Sequence, residues 1–190
     1  MSNKNENPSS SSIKITLKTS DGEVFLVEEA VAMKFVTVKS FFEEDGVSQS
    51  TPMPLPNVSS FALSRVIVYC CRILEICAKL PTVSTASDAE AGEEELKETE
   101  KKVKEERKAF EAEFLKEESN EGIKEMILAA NYLDIKEMLE FLNQSVADRI
   151  QNKSVEYVRN FFGIDNDFSP EEEAKLREEF AWAFEDVDED

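Results

Sequence analysis

The sequence contains no histidine, only three cysteines and only five glycines, and each shortage closes off a kind of chemistry. Without histidine the chain lacks the commonest general base and a main zinc ligand. Cys70, Cys71 and Cys77 crowd into one segment, are odd in number and lack metal-ligand spacing. They are expected to be small buried hydrophobes in a reducing compartment, and no histidine is present to activate a thiol. The glycines do not cluster, so no phosphate-cradling loop is visible. Asp165-Asn166-Asp167 opens like a calcium loop, but Pro170 stands where glycine is required and Leu176 where a bidentate glutamate is required. Among 41 acids chance supplies many carboxylate pairs, so none marks a catalytic dyad. No enzyme activity, cofactor or metal is expected.

Basic residues are scarce as well: 22 against 41 acids leave a net charge of −19. Such a field repels phosphate backbones and anionic membrane surfaces, and no basic patch relieves it, so neither nucleic acid nor membrane is an expected partner. The most apolar stretch, Phe61–Cys77, is interrupted by Ser64, Arg65, Arg72 and Glu75 and does not read as a membrane span. Met1–Ser12 is polar, has no apolar core of a secretory signal, and reads as a disordered start. The nucleus and cytoplasm are the expected locations.

Against these absences stands a clear order of elements. Ile13, Ile15 and Leu17 alternate with polar residues, Ser20-Asp21-Gly22-Glu23 signals a turn, and Val24–Val27 reads as a return strand. The pattern becomes helical from Glu29 to Glu44, with Val38, Phe41 and Phe42 on one face. The prolines of Pro52–Pro56 confine that segment to an extended or edge position. Ser59 can cap a helix whose Leu63, Val66, Ile67, Cys70, Leu74 and Cys77 form a core-facing stripe, ended by Pro81 and the Ser/Thr run to Ser87.

Asp88–Glu118 carries 13 acids and 7 bases, with Glu93–Lys97, Glu98–Lys102 and Glu100–Lys104 at helical i,i+4 spacing. It is read as an insertion or solvated excursion outside the core. From Glu121 onward the chain reads as helix. Ile123, Met126, Ile127 and Ala130 make one stripe, and Leu128, Ala129 and Tyr132 a second, so that helix must be covered on two sides. Ile135, Met138, Leu139, Leu142, Val146 and Ile150 line the next helix; Val155, Val158 and Phe162 line a third, with Gly163 as its C-cap. Ser169-Pro170-Glu171-Glu172 predicts a helix start with a capping box. The last helix carries Leu176, Phe180, Ala183 and Phe184, with Trp182 off that stripe. So much aromatic surface must fold back or meet another protein.

The segment Ile127-Leu128-Ala129-Ala130-Asn131-Tyr132-Leu133-Asp134-Ile135 resembles the hallmark of Skp-type adaptors. Ser20–Glu23, Pro54-Leu55-Pro56-Asn57-Val58 and Asn166–Glu173 resemble further blocks of that family, and Trp182–Glu185 resembles its plant branch. The similar blocks run over residues 13–78 and 112–184. The resemblance implies an α+β fold: a BTB/POZ-type domain, with a small sheet and helices, over residues 13–150. A variable acidic insertion would fall at about residues 79–111, and C-terminal F-box-binding helices with an acidic tail would cover 151–190. It further implies a non-catalytic adaptor that links F-box substrate receptors to a cullin scaffold in Skp–cullin–F-box (SCF) ubiquitin ligases. Asn131 and Tyr132 would face the cullin. Leu139, Val146, Val158, Phe162, Ile164, Phe168, Leu176, Trp182 and Phe184 would face the F-box, although Leu139, Val146 and Val158 are equally placed to pack within the helical array.

The sequence departs from the family pattern at several of these sites. Lys124 stands where phenylalanine is usual and Asn143 where cysteine is usual; Phe110 replaces tryptophan, and Val155 and Tyr157 replace proline and glutamate at a helix start. Such changes imply an altered or narrower set of receptors. Two other roles fit the residues: a stand-alone POZ-fold interaction module or decoy that no longer binds cullin, and an acidic chaperone of basic proteins.

Overall fold

The computed structural model describes residues 13–44, 51–80 and 91–184. The polar start at 1–12 and the Ser/Thr run after Pro81 lie outside them. Strand β1 (Lys14–Thr19) turns through Gly22, at φ 89°, into β2 (Val24–Glu28), as the turn signal predicts. The two strands pair antiparallel, with Ile15 opposite Val27 and Leu17 opposite Phe25. The chain then crosses over through α1 (Glu29–Ala32) and α2 (Val36–Glu44) to a short strand β3 (Met53–Leu55), parallel to β1. The strand order is β2-β1-β3, which places the proline-rich segment on an edge, with Pro54 exposed.

The single helix expected over 29–44 is divided. At the break Lys34 and Phe35 donate to the carbonyls of Val31 and Ala32 in tighter three-residue turns. This redirection leaves Val31, Ala32, Phe35 and Val38 all in the core.

Helix α3 (Ser60–Cys77) starts where expected: the Ser59 side chain accepts from the Ala62 amide. Its buried side is Leu63, Val66, Tyr69, Cys70, Ile73 and Ile76, so the stripe is rotated from the expected one and takes in Tyr69. As a result only Cys70 is buried; Cys71 is half-buried and Cys77 exposed, which corrects the expectation of three buried thiols.

Helix α4 (Ala91–Phe114) also differs from its reading. The Glu98–Lys102 pair closes at 3.4 Å on its solvated side. Its C-terminal turns, however, belong to the core. Phe110 and Phe114 join Tyr69 of α3 and Phe141 in an aromatic cluster in which the Tyr69 and Phe141 rings stack 5.6 Å apart. The Tyr69 hydroxyl donates to Glu111 at 3.0 Å and accepts from Arg107 at 3.2 Å. The acidic excursion therefore ends several turns before Phe114. Charge composition hid this, because Phe110 and Phe114 stand one turn apart among charged residues and find their partners on α3 and the helix that carries Phe141.

That helix is α6 (Lys136–Ile150), which follows α5 (Asn120–Tyr132). Ile123, Met126, Ala129 and Ala130 of α5 and Met138 and Leu142 of α6 complete the core beneath the sheet. Arg149 of α6 donates to the carbonyls of Leu115 and Glu118 and to the Asn120 side chain, placing a cation where α4 ends. Helix α7 (Val155–Phe162), helix α8 (Pro170–Glu179) and a 3-10 turn (Ala181–Phe184) finish the described chain.

Candidate partner-binding surfaces

The first surface lies at the joint between α5 and α6. The Thr37 hydroxyl donates to the Tyr132 carbonyl at 2.7 Å, fastening the end of α5 to α2. Asp134 takes a left-handed conformation, φ 51°, which aspartate tolerates better than most residues, and this turns the chain into α6. Leu133 and Ile135 are buried on either side of it, so the joint is rigidly held while Asn131 is exposed and Tyr132 half-exposed. Beside the joint a cavity of about 250 Å³ is lined by Val36, Tyr69, Cys70, Ile73, Asp134 and Glu137, among others. Burial pushes the Cys70 thiol up to about 12, so it stays protonated at neutral pH and is a poor nucleophile.

The second surface is built by α7, α8 and the final turn. Ser154 caps α7 by accepting from the Tyr157 amide, even though the residues after it are not those of the usual helix start. Gly163, at φ 67°, ends the helix as a left-handed C-cap, a conformation that glycine reaches without steric cost. Ser169 and Glu172 form the full capping box expected for α8. Ion pairs join α7 and α8: Arg177 meets Glu156 and Glu173, and Arg159 lies 3.9 Å from Glu173. The Arg159 guanidinium also stands over the Phe168 ring, at 5.8 Å. Helix α8 buries no residue of its own, so polar contacts fix its position.

The residues expected on the F-box side divide into two groups. Val146 is only 8% exposed and lies in the core, and Leu139 is half-buried and packs against it, the placement within the helical array that their stripe equally allows. Both follow the helical stripe of α6, whose one apolar side is used up by the domain interior. Val158 and Leu176 are half-buried, whereas Phe162, Ile164 (59%), Phe168 and Trp182 (73%) are exposed. The side chain of Phe184, in the last described turn, lies outside the described residues. Phe161, which the sequence pattern did not single out, is the buried anchor of α7 and stacks edge-on with Phe162. Phe180 and Val155 add to the exposed set. The signal for Phe180 was the composition of α8: only Leu176 is a large apolar residue there, so no inward stripe exists to hold the aromatic that follows.

Lys124 is half-buried and pairs with Glu121 at 2.6 Å. Its ammonium nitrogen would lie 3.8 Å from a Cβ at Gly163, which places the lysine against the C-cap of α7. Asn143 is exposed and owes nothing to the core.

A family model described as the Skp1 family, tetramerisation domain, matches residues 13–74, and one described as the Skp1 family, dimerisation domain, matches residues 136–183. SKP1-like protein 1A of Arabidopsis thaliana is 45% identical over 90% of this chain and 98% of its own length. SKP1-like protein 20 of Oryza sativa subsp. japonica is 43% identical over 90% of this chain and 94% of its own. SKP1-like protein 14 of Arabidopsis thaliana is 43% identical over 92% and 99%. The chain belongs to the Skp1 family. Its three-stranded sheet with α1, α2 and most of α3 lies within the POZ match, and the fold is of the α+β class. The dimerisation-domain match spans α6 to the final turn and so contains the exposed residues of α7, α8 and the segment between them.

Proposed function

We propose that this Skp1-family protein is a non-catalytic adaptor that links F-box substrate receptors to a cullin scaffold in SCF ubiquitin ligases, working in the nucleus and cytoplasm. The observation that carries the reading is the apolar surplus of the C-terminal helices. Phe162, Ile164, Phe168, Phe180 and Trp182 are all exposed, on a part of the chain where α8 buries nothing. A face of that kind gains its stability by meeting a partner, and aromatic anchors commonly dominate such contacts. In this reading the F-box takes the α7–α8 side and the cullin takes the joint that presents Asn131 and Tyr132. The adaptor contributes geometry: two separate surfaces on one rigid core hold a receptor and a scaffold at a fixed separation. Each interface is expected to bury ~1,200 Å² or more.

The test is size-exclusion chromatography with light scattering of the chain mixed with an F-box domain and a cullin N-terminal domain. The expected result is a complex with one copy of each. Trp182→Ala should weaken F-box binding by ~2 kcal/mol or more, and Tyr132→Lys should abolish the cullin contact alone. A complex with only one of the two partners would replace the adaptor reading with that of a specialised interaction module.

A further inference from the structure

The exposed aromatics of the C-terminal helices stand among acids that have no structural task. Asp165 and Asp167 lie in the segment between α7 and α8, exposed and without an ion pair among the described residues. Glu178 and Glu179 close α8, where negative charge opposes the helix dipole. Their presence there disfavours the helix, so helix stability does not account for them. The nearby arginines are engaged, Arg159 with Glu173, and Arg177 with Glu156 and Glu173, and Lys175 is the one base of α8 outside these pairs, a single positive charge against the four acids. Lys124, beside Gly163, is taken by Glu121. Asp165 and Asp167 thus stand beside the exposed Ile164 and Phe168 along the chain, and Glu178 and Glu179 precede the exposed Phe180, with Trp182 two residues beyond.

We infer that this surface selects partners whose apolar stripe is flanked by lysine and arginine, these acids drawing the partner in before the apolar contact closes. The inference rests on the adaptor reading above and adds the chemistry of the receptor segment it accepts. Charge around a rim acts mainly on the rate of encounter, and apolar anchors act mainly on the lifetime of the complex.

The test is stopped-flow association of the full chain with an F-box domain that carries lysine or arginine on both sides of its apolar stripe. The same domain with those residues changed to glutamine is the control. Association with the basic probe should be at least about tenfold faster than with the control at low salt, and the gap should close as salt rises. The chain variant Asp165→Asn, Asp167→Asn, Glu178→Gln, Glu179→Gln should lose most of that advantage while its dissociation rate stays within about twofold. Circular dichroism should show the same helix content, because removing the two glutamates relieves the end of α8. Equal association rates for the two probes, with binding intact, would overturn this inference and leave the adaptor reading standing. Absence of binding to either probe would overturn both. A lysine-rich peptide without an apolar stripe that bound as fast and as long as the domain would also overturn it.

Discussion

Asp21 sits in the hairpin turn and reaches the first residue of α3. Its carboxylate accepts from the Ser60 hydroxyl and the Ser60 amide, and from the Thr19 hydroxyl. These bonds, the Ser60 hydroxyl foremost, hold its pKa down at about 2, against an ordinary 3.8. Because the folded value is the lower one, the stabilisation is complete at pH above the ordinary value and is lost as pH falls through about 2. A carboxyl NMR titration should place the Asp21 midpoint near 2, and Ser60→Ala should move it up; a midpoint at the ordinary value in the parent protein would show that the bond is absent in solution. The sequence made the turn legible, since Asp-Gly between two alternating runs is a local signal. The second task of Asp21 was not legible, because Ser60 lies 39 residues away and only the folded sheet brings it near. Val146 went the other way. Its spacing fits both a core stripe and a partner face, and the sheet and helices that cover it decide for the core.

At the scale of elements, caps were the most readable features and helix faces the least. Ser59, Gly163 and the Ser169 capping box act within four residues of themselves, so their local sequence specifies them. The packing of α4 depends on Tyr69 and Phe141, from two distant helices, and its charge concealed it. Phe114 carries that packing: it is buried, touches the rings of Tyr69, Phe110 and Phe141, and lies 4.2 Å from the Arg65 guanidinium. Phe114→Ala should cost about 3–5 kcal/mol of unfolding free energy in urea, whereas a solvated excursion would lose less than ~0.5 kcal/mol. The same measurement therefore separates α4 as a core element from α4 as an appendage.

The whole molecule carries a net charge of −19, and several of its cations are drawn into local pairs such as Arg72–Glu106 and Arg107–Glu111. Like charges spread over one compact body repel, and salt screens that repulsion before it weakens short ion pairs. The melting temperature should therefore rise as sodium chloride is raised from low to physiological levels; a gain of ~1 kcal/mol would appear as roughly 2–4 °C for a chain of this size. A falling melting temperature would mean that the native ion pairs outweigh the repulsion. The order of strands, turn and helices was legible at this scale, and the resemblance supplied the fold class. The two candidate faces were legible only through the resemblance, because exposure is a property of the assembled molecule.

Lys79, just past the end of α3, and Glu106, well along α4, meet at 2.7 Å, and Arg72 joins them on the same carboxylate. One carboxylate thus works as a clasp between two helices. Because two cations share it, losing either leaves the other in place, so this junction of α3 and α4 should survive a single substitution of Arg72 or Lys79.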